Sequence, residues 1–209
     1  MSRASKQLKR NPSFKNGDRL LVLTEGMKTE PDYLKQLLSM LKISPEQVVV
    51  KAGTSSDPKH LVEEAKALSY ENARDFRKGI DALFDEICVM IDSENDRPHL
   101  REAINQAEDN EFRVALSVPS IEYWFLLHYQ LTTKLMNNAD EVTRELRRYQ
   151  PDYDKLFRVD PNDFEGLVNN ALKNAESIRK TQDSHPESII YPSTTVDTLV
   201  RQIMGLKGY

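Results

Sequence analysis

The feature that most constrains this chain is an alternation of short apolar, β-branched runs with stretches whose apolar residues recur at helical spacing. Residues 19–24 read RLLVLT, a run too short for a stable helix and lacking the polar alternation of a half-exposed strand. It suits a strand buried on both faces. Val48-Val49-Val50, EICVMI at 86–91 and FRVALSV at 112–118 are further runs of this kind. Between the first two, Tyr33, Leu34, Leu37, Leu38 and Leu41 keep helical spacing, with Thr29 as expected N-cap and Pro31 in the first turn. Asp57-Pro58 opens a second helix through Leu61, Val62, Ala65 and Leu68, after which the charged stretch from Arg74 to Lys78 reads as a solvent crossing. Pro98 opens a third helix and Pro119-Ser120 a fourth over residues 121–129.

Strands alternating with helices predict an α/β fold, an open parallel sheet of about four strands with right-handed crossovers and helices on both faces. Beyond residue 130 the pattern is mainly helical, at 140–149, 164–181 and 193–206. The expected organisation is therefore a basic flexible arm at 1–17, an α/β core at 18–130 and a helical C-terminal extension at 131–209 packed on that core.

Composition enters where it excludes. With 209 residues and 39% hydrophobic content, the chain can bury one core of ordinary size. No apolar run approaches the roughly 18 residues of a membrane span, and the first residues lack the apolar region of a secretion signal, so the expectation is a cytoplasmic protein without a membrane partner. Cys88 is the single cysteine, which excludes an internal disulfide and suits a buried structural thiol. A net charge of −4 excludes a protein that coats nucleic acid by bulk charge. The arm is different, because Arg3, Lys6, Lys9, Arg10, Lys15 and Arg19 face only Asp18 there. Lys9 and Arg10 could lie along a phosphate backbone, or the arm could be a solvated tail.

In an open parallel sheet, ligands bind outside the carboxyl ends of the strands. Glu25 ends the first run, Asp92 ends the third and Glu94 follows two residues on. If the first and third strands are neighbours, three carboxylates share one crevice. Such crowding is stable mainly when a cation neutralises it. Magnesium, or manganese in its place, takes one or two carboxylates and completes its shell with water and phosphate oxygens, which polarises a phosphoryl group. Glu25 could instead act as general base or acid. Lys28, Arg97 and Arg101 fall beside the same strand ends and could hold nucleic-acid phosphates. Each of these residues could also serve as a cap, a turn former or a solvated charge.

Three strings extend this reading: LLVLTEGMKTEPDYLKQL at 20–37, SVPSIEYWFLLHY at 117–129 and YPSTTVDTLV at 191–200. Together and in this order they resemble the RloB-like proteins, a branch of the TOPRIM superfamily. The resemblance implies a TOPRIM-like core with a glutamate after strand one and an Asp-x-Asp after strand three binding magnesium. Glu25 and Asp92 match that pattern, whereas Asp92-Ser93-Glu94 carries glutamate at the last position. Asp96, in a displaced echo of the motif, could be a further ligand and ranks after Glu94, and Glu122, in the family's Ser-x-Pro-x-x-Glu string, could complete a second metal site or simply complement the dipole of its helix. The resemblance also implies a magnesium-dependent nuclease acting on DNA or RNA, an effector of prokaryotic antiphage defence with an ATPase partner. A non-catalytic TOPRIM module that binds nucleic acid or the ATPase is the alternative. Trp124, Leu126 and Leu127 are expected in the core.

Overall fold

The four apolar runs form the parallel part of one sheet in a computed structural model that describes residues 19–93, 99–184 and 192–206. Strand β1 is Leu20–Thr24, β2 is Val48–Ala52, β3 is Glu86–Asp92 and β4 is Arg113–Val118, all mutually parallel in the order β2-β1-β3-β4. A two-residue strand β5, Ser193–Thr194, adds to β4 in the antiparallel sense. The sheet is thus mixed α/β and mostly parallel, as expected, with one strand more than the four sequence runs indicate. Ser193 was expected inside a helix. The pairing of Ser117 with Thr194 and of Val118 with Ser193 makes it strand instead, a contact no local pattern announces.

The helices are α1 Thr29–Leu41, α2 Pro58–Arg77, α3 Leu100–Asp109, α4 Ile121–Leu127, α5 Ala139–Leu146, α6 Phe164–Ser184 and α7 Val196–Gly205. Asp57 caps α2 through its carboxylate, which accepts from the amides of Lys59 and His60. Two local expectations are corrected. Thr29 is the first residue of α1 rather than its cap, and Lys28 precedes it without a side-chain capping bond. The charged stretch from Arg74 to Arg77 is the last turn of α2, because Phe76 is buried and Asn72 bonds Ala82 O and the amide of Phe84 beneath it.

Each sheet face carries its own core. On one, Leu21, Leu23, Ile87, Val89 and Ile91 pack under α2 and α3. On the other, Leu20, Val22, Cys88 and Met90 meet α1 together with α4, α6, α7 and the loops around Met136, Tyr153 and Phe157. Alternate residues of each strand thus feed opposite cores. Cys88 is buried, and burial pushes its thiol up to about 12, consistent with an inert structural role. Trp124, Leu126 and Leu127 are fully buried. Among the described residues, no helix is long and apolar enough to cross a membrane.

The strand order has one consequence for the site. From β1 the chain moves outward to β2 and then returns to the other side of β1 as β3, so the winding reverses between β1 and β3. In open α/β sheets that reversal opens a crevice at the strands' carboxyl ends.

Candidate active site

Glu25 and Asp92 stand at that crevice. Glu25 immediately follows β1, its amide donating to Met90 O on β3, and its carboxylate accepts from the backbone N–H of Asp92 at 3.3 Å. The pairing of β1 with β3 brings together residues 67 apart in sequence. Asp92 stays partly open to solvent at its surface yet is deeply surrounded by protein. Desolvation raises its carboxyl well above the usual range, and the charges of Glu30, Glu122 and Glu25 raise it further against a backbone bond from Ile121.

Two more carboxylates complete the cluster. Glu30, in the first turn of α1, is buried and folds back so that its Oε1 accepts from the amide of Gly26 at 3.0 Å. Its carboxylate lies over the face of Gly26, 1.9 Å from where a Cβ would stand, so a side chain there would displace that carboxylate and its bond to the Gly26 amide. Burial is the main cause that raises Glu30, and Glu25 and Glu122 add to it. Glu122, on α4, is 2% exposed. Burial is the largest single influence and would push it up, but the hydrogen bonds and charge around it, led by the bond from Lys155 Nζ at 2.6 Å, together outweigh this and leave its carboxyl below the usual range. Tyr153 also donates its hydroxyl to Glu122 Oε1 at 3.1 Å.

Of the sequence candidates, the described structure therefore brings Glu25, Asp92 and Glu122 to one end of the sheet. Lys28 is exposed in the loop after β1, and Arg101 is exposed at the start of α3. Glu94, Asp96 and Arg97 lie outside the described residues, as do Lys9 and Arg10 of the arm. Sequence reasoning passed over Glu30, although it stands within the Glu-Gly-x-x-Thr-Glu-Pro string. It could not have found Tyr153 and Lys155, which lie more than thirty residues from their partner.

The donor set is made of hard carboxylate oxygens, the chemistry magnesium prefers, and two adjacent carboxylates meet its usual protein share. Glu25 and Asp92 fit that requirement. Among the described residues, no three His, Cys, Asp or Glu side chains are set as a metal-ion cage. Glu122 already has a cation in Lys155.

The RloB-like protein family model matches residues 20–203, which takes in every strand and nearly every helix described above. No curated protein and no solved structure matches the chain. The matched span covers most of the 209 residues, including the strand ends with Glu25, Asp92 and Glu122, and the chain belongs to the RloB-like family.

Proposed function

We propose that this protein is a magnesium-dependent nuclease that hydrolyses phosphodiester bonds of DNA or RNA, with Glu25 and Asp92 as its principal metal ligands. The observation that carries the reading is the convergence of Glu25, Glu30, Asp92 and Glu122 at the β1/β3 switch point, where like charges oppose one another unless a cation joins them. Bound there, a divalent ion would polarise the phosphoryl group and lower the pKa of an attacking water. Glu94, two residues beyond Asp92, is the further ligand, and Asp96 an alternative to it.

The chain's own residues have separable tasks. Glu25 is positioned by the amide of Asp92 to ligate or to accept a proton from water. Glu30 holds the Gly26 turn and keeps the loop after β1 at the strand ends. Lys155 neutralises Glu122 and puts a cation beside the crevice, where a substrate phosphate would meet it. Lys28, Arg97 and Arg101 hold the flanking backbone, with the basic arm extending that contact through Lys9 and Arg10. We place the protein as the effector of a prokaryotic antiphage defence system working with an ATPase, in the cytoplasm, on the strength of family membership.

The test is cleavage of varied DNA and RNA in magnesium and manganese, with and without the ATPase partner. The wild type should cut, and Glu25→Gln and Asp92→Asn should each lose at least about a hundredfold in rate. Equal residual cleavage by all three proteins would sink the reading. The Lys155–Glu122 ion pair favours a second reading, a non-catalytic module, since it neutralises one carboxylate without any metal. Calorimetry separates the two: the nuclease binds magnesium through Asp92, and the module does not.

A further inference from the structure

A column of aromatic rings runs from the core to the surface. Phe157, buried and stacked on Phe125 at 4.3 Å, meets the half-buried Tyr129 edge-on. Tyr129 in turn stacks on Tyr149, with centroids 4.9 Å apart and planes within 7°. Both outer rings are pinned at their hydroxyls, Tyr149 donating to Gln130 Oε1 at 3.1 Å and Tyr129 accepting from Gln150 Nε2 at 2.8 Å. The last ring, Tyr149, is 42% exposed.

Arginines adjoin that ring in the chain. Arg144, Arg147 and Arg148 cluster at the C-terminal end of α5 and are exposed, with Arg147 donating to Tyr153 O, and the backbone of Arg158 bonds the side chain of Gln150. Glu145 is buried and shared by Lys134 and Arg148, and Asp152 and Asp154 are exposed farther along the chain. A rigid aromatic face edged by arginines is the chemistry that receives an unpaired base and its phosphates. Leu131 and Leu135 are exposed in the adjoining loop and would suit a protein, but the arginines favour a polyanion.

The same segment that carries Tyr149 delivers Tyr153 and Lys155 to Glu122. Lys155 stands six positions beyond Tyr149, which places their Cα atoms at most about 20 Å apart. A single strand lying on the ring would therefore reach the carboxylates within a few nucleotides. We propose that Tyr149, backed by Tyr129 and flanked by the α5 arginines, is a stacking platform for single-stranded nucleic acid. Its use in presenting substrate rests on the nuclease reading, whereas binding does not.

The test is fluorescence anisotropy of the full chain in EDTA with labelled oligothymidylate, oligouridylate and a duplex of equal length. The wild type should prefer the single strands. Tyr149→Ala should weaken them about tenfold and Tyr149→Trp should not. Arg144→Glu, on an exposed helix face that leaves the stack intact, should weaken binding and flatten its salt dependence even if Tyr149→Ala fails to fold. Wild-type affinity in both Tyr149→Ala and Arg144→Glu, equal affinity for duplex, or no binding of any oligonucleotide overturns the platform; the last would assign this face to a protein. Cleavage is scored separately in magnesium. Stacking-dependent binding without cleavage keeps the platform and removes the nuclease, and cleavage with stacking-independent binding does the reverse.

Discussion

Asp197 and Asp92 are both aspartates drawn into the protein, and their surroundings are opposite. Asp197, in the first turn of α7, is wholly buried, and both its oxygens face the guanidinium of Arg179, with Arg201 behind at 3.8 Å. Asp92 at the end of β3 faces the charges of Glu30, Glu122 and Glu25. The first arrangement neutralises a charge and ties α6 to α7. The second concentrates charge of one sign at a strand end, which opposes folding and makes sense where something outside the chain binds.

The largest effect should come from removing the cation at the first site. Arg179→Ala leaves Asp197 buried without its main partner and should cost about 3–5 kcal/mol by urea denaturation. If Asp92→Asn costs as much, the contrast between the two sites collapses.

Next comes His128, which extends the comparison to a buried base. It is completely buried, held by Trp124 O and near Tyr33 Oη at 3.4 Å. Burial lowers its pKa to about 4, against about 6.5 when unfolded. The unfolded chain takes up the proton first as pH falls. The neutral histidine's contribution is thus intact above about pH 6.5 and lost by about pH 4, a change of about 3 kcal/mol. Melting the wild type and His128→Asn across that range should show a steeper acid loss for the wild type; parallel curves would remove histidine from the account.

Lys155→Met should cost about 1–2 kcal/mol, less than Arg179→Ala because the lysine is more than half exposed and screened by solvent. It should also raise the Glu122 carboxyl, observable by carboxyl NMR titration. Adding Glu122→Gln should recover part of the loss if the two act as a pair.

The smallest expected change has the opposite sign. Asp92→Asn or Glu25→Gln relieves like-charge repulsion and should raise stability by about 1 kcal/mol. A stability loss in either would mean that these carboxylates hold the fold together as Asp197 does.

Much of the fold was legible because the strands on which it rests are buried on both faces. Leu20 to Leu23 and Ile87 to Ile91 must then be apolar at every position, and a continuous run is visible without knowing its partner. Strand β5 was not legible, since Ser193 and Thr194 are polar and become strand only by pairing with Ser117 and Val118. Within the site, Glu25 and Asp92 were readable from their positions after apolar runs. Glu30 was concealed in a helix's first turn, where a glutamate usually needs no further reason.

The order of β1 to β4 and the helices between them, the carboxylates that end those strands, and membership in the RloB-like family follow from sequence alone, because local periodicity and short motifs are encoded within a few residues of one another. The tertiary structure decided which acids meet. Asp92 acquires Glu25 through the β1/β3 register, and Glu122 acquires Lys155 through a loop that arrives from beyond α5. Whether a carboxylate is paired or crowded depends on what the rest of the chain places within a few ångströms of it, and chain packing sets that distance.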